Sequence, residues 1–515
     1  MKTLERSMLC SWALLALSCS AALAQQAPDP QENTAPVPFP GDRIFNDQPP
    51  FLAGVAVDHA DAVYREGDRM RVEFKAEREA FLYLIYHQAD HESCLLFPNE
   101  SQSDNRVPAG ETTVVPDPNQ PLRFRIQPPF GTEVLQVIAS IERLPSLDAL
   151  VKSVGTVTPD RSLPPDDVEK ADGTANQDGP PKPPAAPRPT GRAPLVSQAL
   201  LDDLQQRLAS DLTKWTEHRV LLRTESKMAP APTPKSARVG LFIGIGTYLH
   251  PELGAPLKPA ATSAKVMHEL MLKQGGLDPA KTKLVLDEQA TKANLQELIT
   301  RWLPSVSQPA DTVFIYFSGH TGQFPGDDPT EPDGLDEAVC PYDMNLGDEH
   351  ATAAIRYRQY RDSCILDDTL ARWLQSLCGR QLVLIFDTCH SGGLAQGKGL
   401  PNQAKVGRGR GASLGHSFFS DEALRMKDIS QLNTILIASS ASDELSWGKP
   451  DAMMFFSFCL AEAMTRNDTP HPLSVQAAFD LSRKRMNALV VEVGLRQEQQ
   501  PTMTDDALLP IALLP

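Results

Sequence analysis

The sequence has no excess of positive charge and no motif for binding zinc or a nucleotide. Its 49 Lys and Arg residues are outnumbered by 65 Asp and Glu residues, giving a net charge of −16. Nucleic acid is therefore not expected as a partner. No two of the eight cysteines are spaced Cys-x-x-Cys, so we expect buried free thiols or at most one disulfide bridge. The glycines of 239–246 do not follow the Gly-x-Gly-x-x-Gly spacing of a dinucleotide site.

Long apolar runs are scarce, and the one near the amino terminus is typical of a secretory signal. A basic start precedes a mostly apolar run at 8–17 and a small-residue cleavage site at 22–24. We predict that residues 1–24 direct export to the periplasm or the exterior of a bacterium. No integral membrane segment is expected after cleavage. Lipoprotein anchoring at Cys19 is not favoured, because Ala16 stands where a larger aliphatic residue is usual.

The remaining chain divides by composition and by hydrophobic periodicity. Short alternating runs between turn residues predict β-strands, and stretches rich in Pro, Asp and Lys predict disorder. A strand at 215–224 would return to the first domain, so the Pro-rich stretch before it is predicted to be an insertion. His87 and His91 are expected on the surface. The predicted segments are a disordered leader (25–45), a β-sandwich accessory domain (46–226) with a disordered insertion near 156–194, a Pro-rich linker (227–236), a catalytic domain (237–490) and a C-terminal segment (491–515).

Strands alternate with helices in the second half, which predicts a mostly parallel sheet covered on both faces. Two of its apolar strands end in polar residues. One strand ends at His320 and the other at Cys389. Because the carboxyl ends of adjacent parallel strands meet at one edge of the sheet, we expect the two side chains to lie together. A cysteine and a histidine so placed can act as nucleophile and proton acceptor.

Three segments resemble the signatures of caspase-like cysteine peptidases, and the metacaspase and bacterial caspase-homologue branch is most similar. They are 316–320, 333–337 and 387–393. The segment 64–68, with similar short motifs after it, resembles a bacterial β-rich accessory domain. The resemblance implies an α/β caspase-like fold, a mostly parallel sheet flanked by helices, preceded by an all-β sandwich domain. Protein or peptide substrates are implied as partners.

The resemblance also implies roles for individual residues. The catalytic pair would be Cys389 and His320, with an oxyanion hole formed by the backbone N–H groups of Cys389 and of Thr321, where the family usually has glycine. Metacaspases prefer Arg or Lys before the cleaved bond. Ser318 and Asp387 match two of the family's pocket positions, and the third falls on Ser263 instead of an aspartate.

Catalysis by a cysteine and a histidine requires no cofactor, but the resemblance implies a possible calcium site. Its ligands would be Asp367, Asp368 and Asp336, since carboxylate oxygens suit calcium. A further aspartate of the family falls on Gln396 here. The alternative is that Asp367 and Asp368 simply favour the amino end of a helix.

Two functions from different classes remain open. The first is an exported cysteine endopeptidase that cleaves after Arg or Lys through a Cys–His dyad. It would process itself in the basic, Gly-rich loop 394–417, although that loop is equally consistent with an ordinary solvated one. The second is a catalytically silent caspase-like binding protein outside the cytoplasm. The paired Cys389 and His320 favour the first function, and Thr321 and Ser263 favour the second.

Overall fold

The structure is a computed structural model. Nearly all of the predicted insertion 156–194, most of the linker 227–236, the signal 1–24 and the loop 394–417 lie outside the residues it describes. Within the described part of the chain, no helix is both long enough and apolar enough to cross a membrane. The described residues are 39–59, 62–120, 122–154, 193–227, 236–250, 256–325, 335–345, 347–348, 350–390, 433–440, 446, 448, 452–466, 471–493, 499–505, 507 and 510–515.

Strands and helices are numbered here in chain order. The strands are β1 (Ala53–Val57), β2 (Val63–Arg65), β3 (Arg69–Met70), β4 (Val72–Ala76), β5 (Ala80–His87), β6 (Ser93–Phe97), β7 (Arg106–Val107), β8 (Thr113–Val115), β9 (Phe124–Arg125), β10 (Thr132–Ser140), β11 (Trp215–Glu225), β12 (Arg238–Gly244), β13 (Thr282–Leu286), β14 (Thr312–Pro325), β15 (Leu335–Val339), β16 (Ile365–Leu366), β17 (Gln381–His390), β18 (Thr434–Ala438), β19 (Leu473–Ser474), β20 (Thr502–Asp505) and β21 (Ala512–Leu514). The helices are α1 (Pro145–Val154), α2 (Gln198–Ala209), α3 (Lys258–Lys273), α4 (Lys292–Glu297), α5 (Leu303–Val306), α6 (Ala353–Ser363), α7 (Asp367–Leu374), α8 (Phe455–Thr465) and α9 (Val475–Glu492), with a π-helical turn (Leu298–Trp302) between α4 and α5.

The amino-terminal half is the predicted β-sandwich. One sheet has the order β1-β4-β8, and the larger sheet has the order β2-β11-β10-β5-β6. Apolar side chains of both sheets share one core, as Phe74 of β4 and Leu135 of β10 do. Strand β4 alternates buried and exposed residues, as expected of a sheet with one face in water. Helices α1 and α2 cover the outer face of the larger sheet with residues such as Leu147 and Leu204, so this domain is not purely β.

Two expectations about this half were wrong. The predicted disordered leader is ordered from Phe39, because Phe39 and Ile44 are buried in the cores and Pro40–Arg43 forms a 3-10 helix. Composition could not reveal these long-range partners. His87 is fully buried rather than on the surface, and its ring nitrogens hydrogen-bond Ser93 Oγ at 2.8 Å and Gln136 Oε1 at 3.1 Å. Burial lowers the pKa of His87 to about 4.

The second half contains the predicted mostly parallel sheet. Its order is β13-β12-β14-β17-β18-β20, in which only the last pair is antiparallel, and β15 adds to β14 in the antiparallel sense. Alternate residues of one strand enter different cores. Leu384 of β17 packs with α4 and α7, whereas Ile385 packs with α3, α8 and α9. Strand β20 pairs with β18, so the sheet continues beyond residue 490, where the predicted catalytic domain ends.

A buried ion network joins the two halves, and the described residues from Phe39 to Pro515 form one compact unit. We define the ion network as Asp42, Glu217, Arg219, Arg372 and Arg380. Arg372 of α7 donates to Glu217 Oε1 at 2.6 Å, and Arg380 donates to Asp42 Oδ1 at 2.9 Å. Arg219 Nε lies 3.1 Å from Glu217 Oε2, and Arg219 Nη1 lies 3.6 Å from Asp42 Oδ1. The acids come from the accessory half and two of the arginines from the catalytic half.

Candidate active site

Strands β14 and β17 lie side by side in the middle of the parallel sheet and carry most of the predicted site. Their register pairs the Cα atoms of His320 and Cys389, and those of Ser318 and Asp387. Neighbouring strands lie about 4.8 Å apart, so the main chains of His320 and Cys389 are adjacent. The apolar parts of both strands are buried on both faces, and polar residues follow them. Strand β17 ends at His390, as expected, whereas β14 does not end at His320 but continues to Pro325, where it pairs with β15.

Tyr248 holds His320, and sequence reasoning did not identify it. The Tyr248 ring stacks on the half-buried His320 ring, with centroids 5.1 Å apart and an interplanar angle of 26°. The backbone N–H of His320 donates to Tyr248 Oη at 2.7 Å, and its C=O accepts from Cys340 N–H at 3.0 Å. Tyr248 follows β12, the strand beside β14. That position at the carboxyl end of a neighbouring strand was the signal that could have found it.

Gly319 allows this approach. A Cβ atom at position 319 would lie 3.0 Å from Phe317 Cζ and 3.1 Å from Tyr248 Oη. Both distances are shorter than ordinary van der Waals contact. Any larger residue would therefore press on the tyrosine that contacts His320.

Thr321, the predicted oxyanion donor, is buried opposite Val339 of β15. In an antiparallel pair, the backbone polar groups of successive residues face opposite sides. Because His320 bonds Cys340 on the β15 side, the N–H of Thr321 faces β17, where Cys389 lies.

Asp387 is fully buried, and its carboxylate is surrounded by hydroxyl groups. Its Oδ2 accepts from the N–H of Ser457 at 2.9 Å and from Ser457 Oγ, and its Oδ1 accepts from Ser446 Oγ at 3.2 Å. Burial raises the pKa of Asp387, while the hydrogen bonds from Ser457 act in the opposite direction. Ser318 is also fully buried and donates from Oγ to the backbone C=O of Asp387 at 2.9 Å.

The third predicted pocket residue, Ser263, contacts the residue that precedes the helix carrying Ser457. Ser263 is fully buried in α3, and its Oγ accepts from the N–H of Met454, just before α8, at 2.9 Å. Tyr316 Oη and Ser457 Oγ share a hydrogen bond of 2.5 Å. The structure therefore gathers Ser263, Ser318 and Asp387 around the amino end of α8. No local pattern indicated Ser446 or Ser457, which are distant from Asp387 in the chain.

The predicted calcium ligands are not assembled into a metal site by the described side chains. Asp367 is buried and Asp368 exposed in the first turn of α7, and Asp367 Oδ1 accepts from the N–H of Asp368 at 3.1 Å. Asp336 lies in β15, and its side chain is outside the description. The described residues contain no group of three His, Cys, Asp or Glu side chains that could hold a metal ion. These contacts fit the alternative role at a helix amino end.

Comparison with protein families divides the chain at the same place. The family described as "Caspase domain" matches residues 237–510. The family described as "Domain of unknown function (DUF4384)" matches residues 63–143, within the β-sandwich.

Individual relatives align over shorter stretches. Metacaspase-1 of Schizosaccharomyces pombe is 30% identical over 168 residues, which are 31% of this chain and 35% of the relative. Metacaspase-1A of Aspergillus clavatus is 40% identical over 106 residues, which are 20% of this chain and 21% of the relative. The aligned parts thus span about a third or less of these relatives. The crystal structure of Caspase-1 from Spodoptera frugiperda superposes with a TM-score of 0.32 and 12% identity over 54% of this chain and 90% of that one.

Proposed function

This chain belongs to the caspase-domain family, and on that premise we propose that it is an exported cysteine endopeptidase acting through Cys389 and His320. The observation that carries the proposal is the register of β14 and β17, which aligns these two residues on adjacent strands. A cysteine and a histidine at neighbouring strand ends form the nucleophile and base of a covalent mechanism.

Each step of that mechanism has a residue in the proposed site. His320 takes the proton of the Cys389 thiol, and the thiolate attacks the peptide carbonyl carbon. The N–H groups of Cys389 and Thr321 stabilise the oxyanion. His320 then protonates the leaving amine, and water hydrolyses the acyl-enzyme. Tyr248 orients His320 by stacking and by accepting its backbone N–H.

We propose cleavage after Arg or Lys, and the surroundings of Asp387 support this specificity. Among the described residues, the carboxylate hydrogen-bonds hydroxyl groups and a backbone N–H, and no lysine or arginine forms an ion pair with it. A buried carboxylate is stabilised by a cationic partner. The basic side chain of a substrate would supply that cation, aided by the hydroxyls of Ser318 and Ser263.

The experiment is cleavage of fluorogenic peptides ending in Arg, Lys or Asp by mature protein under reducing conditions. The variants are Cys389→Ala and His320→Ala. Cys378→Ser is the matched control, because Cys378 is buried before the amino end of the same strand and should leave activity unchanged. Intact-mass measurement during the incubation tests self-processing within 394–417.

Each outcome has a defined meaning. Turnover after Arg or Lys that disappears in both variants supports the dyad and the pocket. Turnover only after Asp retains the dyad and refutes the specificity. No turnover, with Cys389 inert towards iodoacetamide at neutral pH, favours the catalytically silent binding protein instead.

Calcium and export are separate proposals. No step above needs a metal, and calcium stays a prediction that the same assay tests with added calcium, with chelator and with Asp368→Asn. Export predicts that protein recovered outside the cytoplasm begins at Gln25, which amino-terminal sequencing would show. Recovery of an uncleaved chain in the cytoplasm alone would refute it.

A further inference from the structure

Two buried cysteines meet across the strands next to the candidate active site. Strands β15 and β16 are antiparallel, with Val339 opposite Ile365. Continuing this register by one residue places Cys340 opposite Cys364. Both are fully buried thiols in the described structure, and the neighbouring Cys364 side chain raises the pKa of the Cys340 thiol.

The backbone geometry at this pair suits a disulfide bond. The N–H of Cys340 donates to the C=O of His320, so the polar backbone groups of Cys340 face β14. The C=O of Cys364 accepts from Lys292 Nζ at 2.7 Å and not from the N–H of Cys340, which is engaged by His320. Cys340 and Cys364 are therefore a non-hydrogen-bonded pair, whose Cα atoms lie about 4.5 Å apart in antiparallel sheets. Disulfides span Cα separations of about 4.4–6.8 Å.

We propose that Cys340 and Cys364 are joined by a disulfide bond when the chain folds in an oxidising compartment. The oxidant is the disulfide of a thiol oxidoreductase or of a small thiol. One cysteine thiolate attacks that disulfide and releases a thiol, and the second cysteine then displaces the other sulfur. Two protein thiols become one disulfide, and the donor disulfide is reduced to two thiols.

The bond has to form during folding rather than afterwards. Both side chains are inaccessible in the folded protein, and the neighbouring Cys364 side chain together with burial raises the pKa of Cys340. A folded, reduced protein therefore exposes almost no thiolate to an oxidant. Once formed, the bond would tie β15, which contacts His320, to the strand that leads into α7.

The test is peptide mapping of Cys389→Ala protein, which lacks the reactive nucleophile. It is unfolded with reductant, refolded in a mixture of oxidised and reduced glutathione, and digested with trypsin after thiol alkylation. Arg356, Arg358 and Arg361 separate the two cysteines, so a disulfide appears as two linked peptides. Cys378 and Cys459 are internal controls, because both are buried and neither lies in or next to a strand pair that places it opposite another cysteine.

We expect linked peptides carrying Cys340 and Cys364, with Cys378 and Cys459 alkylated only after unfolding. The loop between the linked cysteines is 24 positions long (364 − 340). The thermal midpoint of the oxidised form should exceed that of the reduced form by roughly 5–10 °C. Cys378→Ser should keep this difference, and Cys340→Ala/Cys364→Ala should abolish it. Free thiols at both positions after oxidative refolding, or linkage to other cysteines instead, would overturn the proposal whether or not the protein is a peptidase.

Discussion

Glu217→Gln is expected to destabilise the whole chain, because Glu217 is the acid that two buried arginines share. Its carboxylate bonds Arg372 from the catalytic half at 2.6 Å and Arg219 from the accessory half at 3.1 Å. The substitution keeps the side-chain volume and removes the charge. Asp42 is then the single acid left in the ion network for three guanidinium groups.

The magnitude follows from burial. Glu217 is 1% exposed, so solvent does not screen its interaction with the two arginines. Removing one partner of a buried ion pair costs about 3–5 kcal/mol, mainly because the remaining charge stays buried and uncompensated. The matched control is Glu225→Gln on the same strand, where the ion pair with Arg223 is more than a third exposed. Breaking that pair should cost about 0–1 kcal/mol.

The loss should also depend on pH. Burial tends to raise the pKa of Glu217, but Arg219 and Arg372 outweigh it and hold the pKa below its usual 4.5. The folded state therefore binds this proton less readily than the unfolded state does. The stability from this group is present above the unfolded pKa and is lost as the pH falls through the lower folded pKa. The difference between wild type and Glu217→Gln should be constant from neutral pH to about 5 and shrink below about 4.

Urea unfolding followed by tryptophan fluorescence measures these differences. Trp215 and Trp373 are buried in the accessory and the catalytic half, so separate transitions of the two halves would be visible. The reasoning is refuted if Glu217→Gln loses no more stability than Glu225→Gln at neutral pH. It is also refuted if the deficit grows as the pH falls from 5 to 3.

Three further outcomes follow from local contacts. Burial raises the pKa of Glu133 to about 7, so its stabilising contribution is complete below 4.5 and lost as the pH rises through 7. The free energy of unfolding of Glu133→Gln, measured by urea titration, should then exceed that of wild type by about 1–3 kcal/mol at pH 8 and equal it at pH 4. A difference that does not change with pH would contradict this. Tyr248→Phe keeps the ring stack but removes the acceptor of the His320 N–H, so kcat/KM should fall roughly ten-fold in the peptide assay, about 1.4 kcal/mol, and an unchanged rate would argue against a positioning role. Gly319→Ala should displace Tyr248, lower the free energy of unfolding by about 1–3 kcal/mol and reduce the rate of peptide cleavage. Wild-type values of both quantities would show that the surrounding side chains accommodate the added methyl group.

Local sequence patterns predicted the elements of the catalytic sheet well. The two strands predicted to deliver His320 and Cys389 are neighbours in the sheet, although β14 continues past His320 to Pro325. Hydrophobic periodicity gives no signal for helix α6, because its exposed, polar surface carries no clear apolar stripe. The family match over 237–510 confirms the caspase-like assignment that rested on three short segments.

The surroundings of the site could not be predicted in the same way. Tyr248 contacts His320 across 72 positions of chain, and Ser457 contacts Asp387 across 70. Such contacts leave no periodic trace, since each depends on where several elements pack. The same holds for Phe39 and Asp42, which composition assigned to a disordered leader.

The amino-acid sequence alone determined the strands, their apolar faces and the two polar strand ends, because these depend on the order of residues within one short segment. Tertiary structure decided which hydroxyls enclose Asp387, which ring rests on His320, and which acid of the first half receives Arg372 of the second. It also decided that Cys340 faces Cys364. Each of these depends on packing between segments that are far apart in the chain. The free energy of such a contact arises only when the two segments meet, so neither segment reveals it alone.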